Sequence, residues 1–286
     1  MKVLTLGSGF VADHLPYEKI TSRIALDHDM AADNVFITSV LKRHKPDVLI
    51  NCLGKTGRPN VDWCESHREE TATTNIALPI ALAEACRKEG THLIQIGSGC
   101  IYFGTSPYKG HTSYAVDPGW QETDFANPAS FYSKTKYACD LALGPMPHVT
   151  TLRIRMPIST KNHPRNLINK LMGYKQVIDI PNSMTFMDDL ARCIEWVADK
   201  RPGGIFHVVN PQPLTAAQIM REYQKYVPEH EFSVIDEWQL DQMTVAKRSN
   251  CILSSAKLKA AGFRMTNSEE ALEKCMAEYI KNVREK

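Results

Sequence analysis

Residues 1–16 read MKVLTLGSGFVADHLP, and the fold follows from this stretch. The apolar run Val3–Leu6 leads directly into Gly7-Ser8-Gly9-Phe10-Val11-Ala12, a G-x-G-x-x-A turn. A strand ending in such a turn uses one glycine to reverse the backbone tightly. It uses the other to let the backbone approach a pyrophosphate at the start of the next helix. Gly7, Gly9, Phe10 and Val11 are thus candidate cofactor contacts. A second strand is expected over 23–26, followed by Asp27, whose carboxylate could bind both adenosine ribose hydroxyls and would repel a 2′-phosphate. Pro16 stands where the first helix would continue, so that helix should be brief or kinked. Taken alone, the turn reads equally well as a plain β-α junction.

The rest of the first half alternates strand and helix patterns. Strands are expected over 47–53, 92–96 and 149–154, and helices over 35–44, 66–89 and 130–143, with Gly90 as a stop signal. Continuous apolar strands separated by helices mean βαβ units and a parallel sheet covered on both faces. Later prolines cut the chain into shorter pieces. Helices are expected over 187–200, 215–226 (with Thr215 and Gln218 as a capping box) and 268–283. The fold class is α/β: a Rossmann-type doubly wound parallel sheet with a smaller, discontinuous C-terminal substrate-binding region. The dinucleotide-binding domain spans 1–157 with a returning segment at 184–210, and the substrate region spans 158–183 and 211–286.

Composition narrows the function classes. The 286 residues carry 34 Lys+Arg against 32 Asp+Glu, a net charge of +2, which leaves no basic footprint for nucleic acid or a membrane surface. Eight cysteines form no C-x-x-C pair, so no metal site is expected, and a disulfide framework is unsuited to a chain of this size. No signal peptide or spanning apolar run is visible, and a reduced, cytoplasmic setting is expected.

Phe131-Tyr-Ser-Lys-Thr-Lys136 places Tyr132 and Lys136 one helical turn apart on one face. A phenol can act as acid or base near neutrality when a neighbouring cation stabilises its anion, and Lys136 can supply that charge. Ser98, just after the 92–96 strand, is placed to polarise a carbonyl. An isolated Tyr-x-x-x-Lys is more often packing plus a solvated lysine. Here it accompanies the glycine turn, Ser98 and a strand ending in Asn51-Cys-Leu-Gly54, where Gly54 is a further cofactor candidate.

With these residues in place the chain resembles the extended short-chain dehydrogenase/reductases. Longer stretches narrow the likeness: Gly57-Arg-Pro-Asn-Val-Asp-Trp-Cys-Glu-Ser-His67, Gly99-Cys-Ile-Tyr102, Leu152-Arg-Ile-Arg-Met-Pro-Ile-Ser159, His163-Pro-Arg-Asn166, the 177–185 segment and Arg248-Ser-Asn250. They are similar to the bifunctional nucleotide-rhamnose synthases, relatives of dTDP-4-dehydrorhamnose reductase, over roughly residues 50–255. Near the N-terminus the turn is G-x-G where that subgroup implies G-x-x-G.

The resemblance implies that Ser98 orients a ketone, Tyr132 donates a proton, and Lys136 binds nicotinamide ribose and tunes Tyr132. It places Asn75 as an active-site asparagine and assigns Cys100 and Lys170 as an epimerisation pair. The cofactor would be NADPH or NADH and the substrate UDP-4-keto-6-deoxyglucose or a related nucleotide sugar, converted to UDP-L-rhamnose. A homodimer built on helices 66–89 and 130–143 is also implied. Arg165 and Arg248 are candidate phosphate ligands because a guanidinium fork matches phosphate oxygens, with Asn166, Asn182 and Asn250 assisting. Arg58, Asn60 and Asp62 lie on a loop after a strand's carboxyl end and are candidate sugar contacts, whereas Trp63 beside them reads equally as packing. Two alternatives remain: a reductase acting on an already epimerised dTDP-sugar, and a regulatory subunit that binds NADP without turnover.

Overall fold

The computed structural model describes residues 1–20, 30–58, 60–104 and 119–285. Among the described residues ten strands are defined: β1 Val3–Leu6, β2 Glu18–Ile20, β3 Val48–Asn51, β4 His92–Ser98, β5 Val149–Ile154, β6 Pro157–Ile158, β7 Gln176–Ile178, β8 Thr185–Phe186, β9 Gly204–His207 and β10 Ser233–Ile235. Six of them form one parallel sheet in the order β2-β1-β3-β4-β5-β9. Because the first crossover lies on one side of β1 and the next on the other, helices cover both faces. The central strands are consequently buried throughout, as their unbroken apolar runs require.

The helices are α1 Met30–His44, α2 Trp63–Ser66, α3 Arg68–Ala72, α4 Leu78–Glu89, α5 Phe131–Leu143, α6 Leu167–Met172, α7 Met187–Lys200, α8 Ala216–Gln224, α9 Glu237–Met243, α10 Ala256–Ala260 and α11 Ser268–Arg284. On one face Leu41, Leu82 and Leu143 of α1, α4 and α5 pack against Leu4, Leu49 and Leu93. On the other, Leu190, Ile194 and Val197 of α7 meet Ile50, Ile94 and Leu152. A separate apolar cluster joins α6, α8 and α11 to β7 and β8 through Leu171, Met220, Tyr279, Val177 and Phe186. No helix among the described residues is long and apolar enough to cross a membrane, and no group of three His, Cys, Asp or Glu among them could hold a metal.

One expectation changes in detail, and another falls outside the described residues. The second strand is Glu18–Ile20, pairing with β1, while the expected 23–26 strand and Asp27 lie outside the described residues. It comes early because the brief first helix is a single 3-10 turn, Ala12–His14, before Pro16 redirects the chain. The expected 66–89 helix begins sooner and is interrupted: His67 breaks it between α2 and α3, and Thr73–Ala77 form a π turn before α4. That turn is pinned by Asn75, whose amide holds the Lys55 backbone and the Thr135 hydroxyl. Gly90, at φ 70°, ends α4, and Thr215 and Gln218 cap α8 reciprocally, both as their sequence signals indicate.

Arg153, on β5, is 2% exposed and forms an ion pair with Asp140 of α5 at 2.8 Å. Its Nη1 also donates to the Tyr102 hydroxyl (2.8 Å) and meets His207 Nε2 at 3.1 Å. Asp140→Asn leaves this guanidinium buried without its counter-charge and should cost about 3–5 kcal/mol. Urea unfolding at pH 7 reads the loss; a change under about 1 kcal/mol would mean that the neutral partners suffice.

His92, buried on β4 and paired through Nε2 with the Thr150 hydroxyl at 2.8 Å, is pushed down to about 4, chiefly by burial, with Arg201 and His148 acting in the same direction. Its folded value lies below its ordinary one of about 6.5, so the unfolded chain takes up the proton first. Stability should therefore be lost as the pH falls from about 6.5 towards 4, by about 1.4 kcal/mol per unit. His92→Gln should flatten that dependence in urea titrations at pH 7 and 5; an unchanged slope excludes His92 as its source.

Candidate active site

The carboxyl ends of β1, β3, β4 and β5 all open on one edge of the sheet, where ligands of doubly wound folds bind. The last residue of β4 is Ser98, opposite Ile154 in β5. Its hydroxyl accepts the Cys100 backbone N–H at 3.2 Å and so caps the 3-10 turn Gly99–Ile101. That cap fixes Cys100 beside Ser98, with its sulfur half-buried in the cleft.

Tyr132 and Lys136 come from the first two turns of α5. Ser130 caps this helix, accepting from Ser133 N at 3.1 Å, while Glu65 Oε1 accepts from Phe131 N at 2.7 Å. Burial raises the Tyr132 phenol well above its ordinary value; Cys100 adds to the shift, and Ser98 and Arg165 oppose it. The phenol is therefore protonated at neutral pH, the state required of a proton donor. Lys136 Nζ donates to the Ile96 carbonyl at 3.0 Å. Arg165 is a cation that acts on the phenol.

Lys170, on α6, is reached by water yet crowded by the protein walls of the cleft. Loss of hydration lowers its ammonium below the usual lysine range; Arg165 and Arg248 reinforce this, and Cys100 works against it. Lys170, Cys100, Tyr132 and Arg165 are thus close enough for their charges to act on one another. Arg165 donates to the Thr56 hydroxyl and to the Gly57 carbonyl at 3.3 Å, and has no carboxylate partner among the described residues. Burial lowers its pKa, and Arg58 contributes. An unpaired guanidinium in the cleft suits an anionic ligand.

Several predicted substrate contacts are hydrogen-bonded within the protein. Asn75 is 1% exposed, and its amide is spent on Lys55 and Thr135. Asn166 is fully buried; it caps α6 and bridges the backbone of Ser159 and Lys161. Asn182 accepts from Arg155 and Cys251 N and donates to Asn250, so it too is a fastener. Arg248 is held by Asp62 in a two-pronged pair of 2.8 and 2.9 Å, so the two residues face each other here. Asn250 bridges Asn182 and Glu237. Arg58 is exposed at the loop tip, and Asn60 turns that loop by accepting from Asp62 N at 2.8 Å. Trp63 stacks on His67 at 3.9 Å, a packing role.

The sheet edge fits a dinucleotide. Gly7 has φ 115°, which only glycine adopts easily, and Gly9 is exposed with no atom within 4 Å of where a Cβ would stand. The backbone there is open to a phosphate. The single 3-10 turn that follows has little dipole, but Lys161 brings a positive charge to within 2.5 Å of the Asp13 carbonyl. Phe10 does not face a ligand freely: it is 5% exposed in the core and lies against His163 at 4.9 Å. Val11 is half-buried, and Gly54 is exposed at the end of the β3 loop.

One residue of the site carried no role in the sequence reading. Arg155 is 2% exposed, and its Nη1 donates to Cys100 Sγ at 2.9 Å. The available signal was Arg153-Ile-Arg155, two charges alternating at the end of a strand whose other residues are apolar or small.

Comparison with known proteins agrees with this architecture. The model of the RmlD substrate binding domain family matches residues 4–281. The bifunctional dTDP-4-dehydrorhamnose 3,5-epimerase/dTDP-4-dehydrorhamnose reductase of Arabidopsis thaliana is 37% identical over 249 residues, covering 86% of this chain and 81% of that protein. A trifunctional UDP-glucose 4,6-dehydratase/UDP-4-keto-6-deoxy-D-glucose 3,5-epimerase/UDP-4-keto-L-rhamnose-reductase of the same plant is 35% identical over 267 residues, 92% of this chain and only 39% of that longer protein. Among solved structures, the L780 UDP-rhamnose synthase of Acanthamoeba polyphaga mimivirus superposes with a TM-score of 0.84 at 24% identity over 97% of this chain and 99% of that one. A dTDP-4-dehydrorhamnose reductase of Bacillus anthracis in complex with NADP superposes at 0.79 with 18% identity, over 97% and 100%. The match along nearly the whole chain, on a Rossmann-type sheet with Ser98, Tyr132 and Lys136 at its edge, makes this chain a member of the RmlD substrate-binding-domain family of extended short-chain dehydrogenase/reductases.

Proposed function

We propose that the chain is a bifunctional enzyme of nucleotide-sugar metabolism: a 3,5-epimerase and 4-reductase that converts UDP-4-keto-6-deoxy-D-glucose to UDP-L-rhamnose with NADPH or NADH. The observation that carries this reading is that Cys100 and Lys170 lie near enough for the charge of one to act on the other, beside the hydrogen-bonded Ser98 and Tyr132. A reductase alone needs the serine, tyrosine and lysine. It has no use for a thiol and an ammonium beside them. The epimerase and reductase names of the plant relatives support the same reading.

Carbons 3 and 5 of the sugar flank the ketone at carbon 4, so removing either proton gives an enolate. Cys100, as thiolate, takes the proton from one face of the ring. The electron pair moves onto the ketone oxygen, where the Ser98 and Tyr132 hydroxyls receive the charge. Lys170 returns a proton to the same carbon from the opposite face, and the centre inverts. Its lowered affinity for that proton, a consequence of lost hydration and two neighbouring guanidiniums, makes it the more ready acid. The turn from Gly7 to Val11 and Lys136 would hold a nicotinamide dinucleotide, whose reduced ring supplies hydride to carbon 4. Tyr132, protonated in this environment, donates to the carbonyl oxygen. Arg165 is the diphosphate ligand we favour, since Arg248 is engaged with Asp62.

Purified protein incubated with the UDP-linked 4-keto sugar in D2O, without reduced cofactor, should place deuterium at carbons 3 and 5. Absence of exchange, with reduction of an already epimerised dTDP-sugar intact, would establish the reductase-only alternative. No NAD(P)H oxidation with either sugar would favour the binding subunit.

Single substitutions should separate the two half-reactions. Cys100→Ala should lower exchange by about 100-fold or more while an epimerised 4-keto sugar is still reduced. Tyr132→Phe should lower reduction by about 100- to 10,000-fold and affect exchange less. Equal losses in both assays for both variants would overturn the division of roles.

A further inference from the structure

Arg155 is the least explained charge in the molecule. It follows β5 directly, is 2% exposed, and makes no ion pair with a carboxylate among the described residues. Its Nη2 donates to the Asn182 carbonyl oxygen at 2.5 Å and to the Ser249 carbonyl, both neutral acceptors. Its buried Nε meets no acceptor among the described residues. Burying an unpaired cation is expensive, and the usual outcome is a partner of opposite charge. Among the described residues two thiols act on this guanidinium, Cys251 and Cys100, and Cys100 Sγ is the one it hydrogen-bonds, 2.9 Å from Nη1. The geometry is built for the contact. Gly99 has no side chain, and a Cβ there would lie 3.5 Å from Arg155 Cδ and 2.3 Å from Leu253 Cδ1. Ser98 holds the Cys100 backbone, while Asn182 and Ser249 fix the far side of the fork.

We propose that Arg155 is the fixed counter-charge of Cys100: it holds the sulfur in its anionic form and aims it into the cleft. It is thus a positioning residue for proton abstraction from a carbon acid. This inference rests on Cys100 acting as the epimerisation base. The titratable groups facing Cys100 come from four elements: Arg155 after β5, Lys170 on α6, Tyr132 on α5 and Cys251 in the C-terminal segment. Burial raises the Cys251 thiol and Arg155 opposes the rise, while the Tyr132 phenol is raised further still. Each of these two groups thus holds its proton more firmly than it would in water. Lys170 is a second cation, but it has to exchange protons during the reaction. Arg155 stays charged throughout, because a guanidinium does not titrate in the working range. One cation therefore holds the base while the other serves as acid.

The test is iodoacetamide alkylation of Cys100, followed by peptide mass spectrometry, across the pH range in wild type, Arg155→Lys and Arg155→Gln. Native folding of each variant is checked by near-UV circular dichroism. Arg155→Gln should alkylate Cys100 at least tenfold more slowly at pH 7, with its pH profile displaced upward, and Arg155→Lys should stay within threefold of wild type. An Arg155→Gln profile that overlays wild type overturns the proposal. If that variant does not fold, wild type decides: a native Cys100 midpoint at or above that of the urea-unfolded chain overturns the proposal, and a lower one supports it. Alkylation needs no substrate, so it is independent of the proposed reaction. A low Cys100 midpoint without solvent exchange into the 4-keto sugar would sink the epimerase reading and leave the charge pair standing. Where wild type does exchange, Arg155→Gln should lose kcat at least tenfold at pH 7 and recover as the pH rises, with KM unchanged. A loss that is flat with pH would reduce Arg155 to a packing role.

Discussion

Two guanidiniums buried two residues apart, Arg153 and Arg155, are the constraint around which the rest of this site is organised. Successive side chains alternate across a strand, so both leave β5 on the same side. Each must find compensation there or destabilise the fold by several kcal/mol. Arg153 finds Asp140, on α5, two helical turns beyond Tyr132. Their pairing sets how α5 lies along β5 and so brings Tyr132 to the end of β4. Arg155 finds neutral oxygens and a sulfur. The two stems fit because β4 and its turn carry glycine at 97 and 99, where a Cβ would crowd Thr151 and Leu253 respectively and come within 3.5 Å of each arginine stem.

The same economy explains how a chain of net charge +2 could serve the anionic ligand proposed for it. There is no global field to draw a nucleotide sugar in. Local charge does the work, and much of it is already engaged. Arg248 faces Asp62, Lys55 faces Glu70, and Lys19 faces Asp13. Arg165 and Lys170 are two cleft cations without a carboxylate partner among the described residues, and Arg165 lowers the proton affinity of Lys170. Their mutual repulsion favours a ligand that brings negative charge between them.

What the sequence reveals and what it hides divide along a physical line. Gly7, the strand runs and the Tyr132–Lys136 spacing are local signals, because backbone conformation and helix pitch act over a few residues. The roles of asparagines are not local. Asn75 meets Thr135 sixty positions away, and Asn182 meets Arg155 across twenty-seven, so residue type alone could not tell a substrate contact from an internal fastener. Arg248 is similar: its phosphate-binding chemistry is real, yet Asp62, 186 positions away, already takes both of its prongs. The early second strand was also hidden, because Glu18–Ile20 is short, partly exposed and has no apolar run.

Burial also sorts the acids and bases of the cleft. Desolvation favours the neutral form of any group, so it moves a phenol and an ammonium in opposite directions on the pH scale. Tyr132 therefore keeps its proton more firmly, and Lys170 gives its proton up more easily. The first suits a hydroxyl that must stay bonded to a developing oxyanion and give its proton only when hydride arrives. In the proposed epimerisation the second suits an acid that reloads between carbon 3 and carbon 5. A thiol set among the same walls would be driven toward its neutral form, as the buried Cys86 and Cys139 are, both pushed up to about 12. Cys100 differs from them in having a buried guanidinium 2.9 Å from its sulfur, so the chemistry of this one cysteine depends on a cation that the fold fixes in place.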